Sequence, residues 1–137
     1  MFKNVDEVIA AYGEALKTVE LSGPTSLEPL MHRAIELSQG EYTFLLILTD
    51  GDLSDVQRDR DALVNASNFP VSVSAIGFGD GPFNELEDFD DMKGRKFDNF
   101  SFEEWTDDVE DAGVLAFQEM IDQYQDLQTI GVLKQKE

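Results

Sequence analysis

The sequence predicts an α/β fold: a doubly wound, mainly parallel sheet with helices on both faces. Three observations lead there. Residues 44–48, Phe-Leu-Leu-Ile-Leu, are apolar without alternation, the pattern of a central strand covered on both sides by helices. A second β-rich run, Val71-Ser-Val-Ser-Ala-Ile-Gly77, follows after one helix-length segment, a spacing that implies a right-handed crossover between parallel strands. The segments around both runs place apolar residues at helical spacing.

Val5, Val8, Ile9, Tyr12 and Leu16 form one stripe, read as the core-facing side of an opening helix. Leu21-Ser-Gly-Pro-Thr-Ser26 interrupts it, because Gly and Pro are poor in helix interiors and Pro pushes its predecessor towards extended geometry. A second helix then turns Leu27, Leu30, Met31, Ala34 and Ile35 inward and stops near Gly40. Beyond the first strand, Ser54 with Gln57 three residues on has capping-box spacing and opens a third helix that carries Val56, Leu63 and Val64. That helix ends around Asn68-Phe-Pro70. Gly77-Phe-Gly-Asp-Gly-Pro82 is a loop, residues 83–89 a short helix, and Arg95-Lys-Phe-Asp-Asn-Phe-Ser-Phe102 a third strand, polar enough to lie at an edge. A last helix aligns Val109, Ala112, Ala116, Met120, Tyr124 and Leu127. One domain over residues 1–137 accounts for the whole pattern, with no repeat or linker.

Charge narrows the function classes. Against 29 Asp and Glu stand 10 Lys and Arg, a net charge of −19. Phosphate backbones and anionic lipids are repelled at long range, so nucleic acid and direct membrane insertion are disfavoured as partners, and solubility, a cation or a basic surface is favoured. No cysteine is present, which rules out disulfides and thiolate metal sites. No apolar run reaches membrane-span length and the first residues lack signal-peptide order, so a cytoplasmic location is expected.

Several segments together resemble the later part of a von Willebrand factor A domain of the copine type, shared with the plant copine-like RING ubiquitin ligases. They are Tyr12 with its helix, Leu21-Ser-Gly-Pro-Thr-Ser26, Tyr42-Thr-Phe-Leu-Leu-Ile-Leu-Thr-Asp-Gly51, Asn65-Ala-Ser-Asn-Phe-Pro70, Gly77-Phe-Gly-Asp-Gly-Pro82, Glu87-Asp-Phe-Asp-Asp91, Phe97-Asp-Asn-Phe-Ser-Phe102 and Gln123-Tyr-Gln-Asp-Leu127. The resemblance implies a Rossmann-like sheet and a non-catalytic protein-interaction module. It also implies a metal-ion-dependent adhesion site, in which a bound Mg²⁺ keeps one position open for a partner's acidic side chain. Of that site's three loops, Thr25 matches the second and Asp50 the third, while the first, Asp-x-Ser-x-Ser, has no counterpart ahead of Thr25. The expectation is therefore a domain lacking its first strands, with an incomplete metal site and Mg²⁺ weak or absent. The strand from Thr43 to Leu48 would then expose an edge, through which the chain is expected to form a homo-oligomer.

The same residues have plainer readings. Thr25 with Glu28 has the spacing of a capping box for the second helix. Asp50 closes a strand where turns are common, Gly51 lets the backbone turn, and Asp55 at a helix start interacts favourably with the dipole without any metal. Asp50-Gly-Asp52 also fits the nucleophile loop of haloacid-dehalogenase-like phosphatases, where one Asp attacks phosphorus, the second transfers protons and Mg²⁺ neutralises charge. Lys93 or Lys96 with Asp90 and Asp91 would complete that enzyme. Gly77-x-Gly-x-Gly81 is a turn, since Asp80 would repel a pyrophosphate. His32 faces solvent. Acids from Glu85 to Asp91 and Glu103 to Asp111 form solvated faces, and Trp105 with Phe100 and Phe102 packs the core or anchors a partner. A third reading is an orphan fragment that folds only by self-association.

Overall fold

A computed structural model of the chain describes residues 1–20, 25–107 and 109–133, with the main chain alone for 109–113. Helix α1 (Val5–Ala15) opens the chain, followed by α2 (Glu28–Ser38), strand β1 (Thr43–Thr49), α3 (Val56–Ala66), β2 (Val71–Gly77), α4 (Asn84–Asp90), β3 (Phe100–Glu104) and α5 (Val109–Thr129). The three strands form one parallel sheet in the order β1-β2-β3, with Thr43 opposite Val71 and Val73 opposite Phe100. The crossover expected between the first two strands is present as α3.

Strand alternation sends two sets of side chains to opposite faces. Leu45, Ile47, Val71, Val73, Ala75, Phe100 and Phe102 meet Leu27, Met31 and Ala34 of the α2 region, Ala62 and Leu63 of α3, and Leu86 and Phe89 of α4, forming the main core. On the other face α5 packs on β2 and β3, and Phe117 and Tyr124 join it to the start of β1 and the residue before it. Phe117 tilts against Phe44 at 5.2 Å between ring centroids, and Tyr124 meets Tyr42 edge-on at 5.0 Å.

Two expectations about burial fail here. No residue of α1 is buried, and Val5, Val8, Ile9, Tyr12 and Leu16 all stay exposed, so the stripe marks an amphipathic helix whose apolar side is left uncovered among the described residues. Strand β1 lies at the edge of the sheet, as the resemblance implied and its unbroken apolar run did not, and Leu46 and Leu48 are 41% and 64% exposed. Leu30 is also exposed, on the outer side of α2.

Helix ends differ from the spacing rules as well. At α3 the cap is Asp55, whose carboxylate accepts from Arg58 N at 3.1 Å, while the Ser54 hydroxyl turns to the Thr25 carbonyl. No capping box forms between Thr25 and Glu28, since α2 starts after Leu27 without a side-chain cap from its own N-cap residue. The third strand begins at Phe100, five residues later than Arg95. Arg95 instead folds over the preceding turn, donating to the carbonyls of Met92 at 2.9 Å and Asp90 at 2.7 Å and pairing with Asp98 at 2.9 Å. In α5, Ala116 and Leu127 are buried, whereas the side chains of Val109 and Ala112 lie outside the described residues. Among the described residues no helix is long and apolar enough to cross a membrane.

Candidate functional site

The carboxyl ends of β1 and β2 open onto one cleft, the place where parallel α/β sheets hold ligands. It encloses about 500 Å³ and is lined by the Asp50–Leu53 loop, by the turn from Phe78 to Pro82, and by Glu85. Among the described residues, four carboxylates, Asp50, Asp52, Asp80 and Glu85, belong to that lining, and no lysine or arginine does.

Close packing shapes the floor. The Phe83 ring sits so near the turns that a Cβ on Gly77 would come within 2.7 Å of it, and one on Gly51 would meet Pro82 O at 2.6 Å. Gly51 also has φ +93, which side chains with a Cβ rarely adopt, so it supports the turn that presents Asp50 and Asp52.

Thr25 lies against the same loop. It forms an isolated parallel bridge with Leu53; its N–H donates to Asp52 O at 3.3 Å, and its carbonyl accepts from Ser54 N at 2.8 Å and from the Ser54 hydroxyl at 3.1 Å. Asp50 is the first residue after β1 and is exposed, its Oδ1 accepting a long 3.4 Å contact from Asp52 N. Main-chain bonds thus bring Thr25 beside the loop that carries Asp50.

The residue that fixes this arrangement is one the spacing rules overlooked. Asp59 of α3 is fully buried, and its Oδ1 accepts from Ser26 Oγ at 2.9 Å, Leu27 N at 2.8 Å and Glu28 N at 2.9 Å. A side chain from a neighbouring helix therefore satisfies the free donors at the start of α2 and holds the segment that follows Thr25. Its signal was present in the sequence: Asp59 falls three residues after Val56 and four before Leu63, on the buried stripe of its helix, where an acid needs partners.

Asp50 and Thr25 carry oxygen donors of the kind Mg²⁺ takes, on two segments that main-chain bonds join. Mg²⁺ takes about six oxygens in octahedral array, and among the described residues no three acidic or histidine side chains converge as a metal-binding group.

Elsewhere the predicted residues scatter. Asp90, Asp91 and Lys93 line a separate cleft beyond α4 with Arg95 and Asp98, away from Asp50 and Asp52. Burial, and then the charge of Glu119, push the Asp90 carboxyl up to about 6, and burial followed by Asp98 raises Glu119. His32 is exposed, with Nε2 3.6 Å from Glu28. Trp105 is partly exposed and stacks on Phe78 at 5.1 Å, while Phe100 and Phe102 are core.

Comparison with known proteins gives a consistent result. The family model described as Copine matches residues 1–130. Copine family protein 2 of Caenorhabditis elegans is 35% identical over 139 residues, covering 94% of this chain and 2% of that protein. The E3 ubiquitin-protein ligase RGLG5 of Arabidopsis thaliana is 39% identical over 118 residues, covering 74% of this chain and 27% of the ligase. This chain thus spans under a third of the length of either relative. Among solved structures, the manganese-loaded TRAP protein of Plasmodium vivax superposes with a TM-score of 0.55 at 18% identity, over 85% of this chain and 47% of that one, a likeness of fold. With its parallel sheet, its helices on both faces and the match over residues 1–130, the chain belongs to the copine family and has the fold of a copine-type von Willebrand factor A domain.

Proposed function

We propose that the chain is a non-catalytic protein-interaction module, read as the later part of a copine-type von Willebrand factor A domain, that meets its partner at the rim formed by Thr25 and the Asp50 loop. The main-chain bonds from Thr25 to Asp52 and Ser54 carry this reading, because they join two segments far apart in sequence into one oxygen-bearing edge. Asp50 and Thr25 would hold Mg²⁺ there, and a bound cation supplies an open position for an acidic side chain of the partner. The phosphatase reading is disfavoured by the lining of the cleft. Asp90, Asp91 and Lys93, nominated to complete that enzyme, line a separate cleft from Asp50 and Asp52.

Calorimetric titration tests the reading. Mg²⁺ is expected to bind no tighter than about millimolar, given so few oxygens, and Asp50→Asn should abolish what binding there is. An acidic peptide should bind better with Mg²⁺ than without it, and Asp50→Asn should remove that difference. Peptide binding indifferent to both Mg²⁺ and Asp50 would refute the assignment. So would phosphatase turnover lost in Asp50→Asn.

A further inference from the structure

We propose that a second groove, bounded by α4, the end of β3 and α5, seats an arginine-bearing segment of a partner protein. It lies at the β3 edge of the sheet, opposite β1, and encloses about 390 Å³. Phe102 and Leu115 give it apolar surface, and Glu87, Asp91, Glu103 and Glu104 give it carboxylates. Among the described residues no lysine or arginine lines it. An arginine side chain has the same two-part character: an apolar stem that packs on hydrocarbon, and a cationic fork that takes carboxylates in pairs.

Charge complementarity identifies the occupant. Ion pairs elsewhere join Arg33 to Glu36, Arg58 to Glu28, Arg60 to Asp88 and Arg95 to Asp98, whereas Glu87, Asp91, Glu103 and Glu104 have no cationic partner among the described residues. Arg95 is not free to supply one, because its guanidinium is buried and held by the carbonyls of Met92 and Asp90 and by Asp98. Burial, and then the charge of Glu119, push the Asp90 carboxyl on the groove wall up to about 6, and Glu119 itself is raised by burial and by Asp98 and Glu103. Acids crowded in this way repel one another, and a cation among them relieves the repulsion.

Two features separate this groove from the general acidity of a chain of net charge −19. One is its apolar floor. The other is an aromatic face beside it: Trp105, between the lining residues Glu104 and Thr106 in the chain, is 38% exposed and stacks on Phe78 at 5.1 Å. A guanidinium stacks on such a ring while it pairs with neighbouring acids. No Mg²⁺ enters this proposal, so it stands or falls apart from the cation reading at Asp50.

Trp105 is the sole tryptophan of the chain, so its emission reports occupancy. The test is a titration of the full chain, in chelator and at several salt concentrations, with a capped Arg-Leu-Arg-Leu-Arg peptide. Its glutamate-for-arginine counterpart is the control. The expected result is a saturable change in emission with the arginine peptide alone, weakening as salt is raised. Glu103→Gln combined with Glu104→Gln should weaken binding roughly tenfold. Glu41→Gln combined with Asp126→Asn makes the same change in net charge at exposed acids outside the groove, and should weaken binding less than about twofold. Leu115→Gln should weaken it severalfold through the lost apolar contact, with circular dichroism unchanged. No saturable binding, equal weakening by the two double variants, or unchanged binding by Leu115→Gln would each overturn the proposal. So would spermine competing as strongly as the peptide, which would give the groove to free polycations.

Discussion

Side chains at 45, 47, 73, 75, 100 and 102 and those at 44, 46, 48, 72, 74 and 76 alternate along the same three strands, yet they meet different surroundings. The first set faces Leu, Met and Phe from three helices and is almost wholly buried. The second faces one helix. Ser74 Oγ and Gln123 Nε2 there lie buried without a hydrogen-bond partner among the described residues, as Asp59 Oδ2 does on the other side, and Leu46 and Leu48 are left in solvent. Unsatisfied polar atoms and bare leucines both weaken a packed layer, so the α2–α4 side is the better filled of the two.

The largest test of that contrast is Phe100→Ala. Phe100 is fully buried and meets Phe89 edge-on at 6.0 Å, so truncation leaves a cavity in the filled face and should cost about 3–5 kcal/mol in urea unfolding. Asp59→Ala comes next. It strips the acceptor from Ser26 Oγ and from two main-chain donors, and should cost about 2–4 kcal/mol. Faster amide exchange at Thr25 and Ser54 should accompany it, because the rim loses its tether. Asp59→Asn keeps one acceptor oxygen and should recover a large part of the loss. Equal damage from Asn and Ala would show that charge rather than capping is what matters.

How far these contrasts could be read in advance depends on what periodicity encodes. A stripe such as Val5, Val8, Ile9, Tyr12 and Leu16 states that a helix has an apolar side, and the helix is there. It does not state that a covering surface lies within reach, and in α1 none of the stripe is buried. The unbroken run in β1 misled in the same way, since lack of alternation reports what both faces favour, not what they obtain. Local signals did better: the α3 crossover, the loop after Gly77 and the short helix ending near Phe89 all lie where turn residues and spacing put them. Caps were less legible, because Ser54 and Asp55 are adjacent candidates and only three-dimensional competition assigns Ser54 to the Thr25 carbonyl. Thr25 and Asp50 became candidates through family likeness, and the bridge from Thr25 to Leu53 is a nonlocal contact that no short pattern contains.

Between the two faces lies a cluster that responds to pH. Burial does most to raise the Asp90 carboxyl at the end of α4, and Glu119 of α5, Asp98 and Asp91 add like charge, with Arg95 opposing. Its folded pKa of about 6 lies above the ordinary carboxylate value, so the native state holds a proton that the unfolded chain has released. Stability should therefore fall as pH rises from about 4 to about 6, and stay level above that. Asp90→Asn should flatten the profile in this window and stabilise at neutral pH by on the order of 1 kcal/mol, discounted for partial exposure. The overall acidity of the chain pushes in the same direction, so the informative quantity is the difference between wild type and variant across that window.

The smallest expected effect has the opposite sign from the first. Ser74 is 1% exposed on β2, with Ser101 beside it on β3 and Leu46 on β1, and its hydroxyl has no partner among the described residues. Replacing a buried unpaired hydroxyl by hydrogen removes a desolvation cost without opening much space, so Ser74→Ala should stabilise by about 0.5–1 kcal/mol. The same exchange at a hydrogen-bonded serine such as Ser67, whose Oγ donates to Val64 O at 2.7 Å and accepts from Lys96 N at 3.0 Å, should destabilise instead. If urea midpoints show Ser74→Ala falling along with Ser67→Ala, the serine-lined face is as well satisfied as the apolar one. The asymmetry between the two sides of the sheet would then rest on exposed leucines alone.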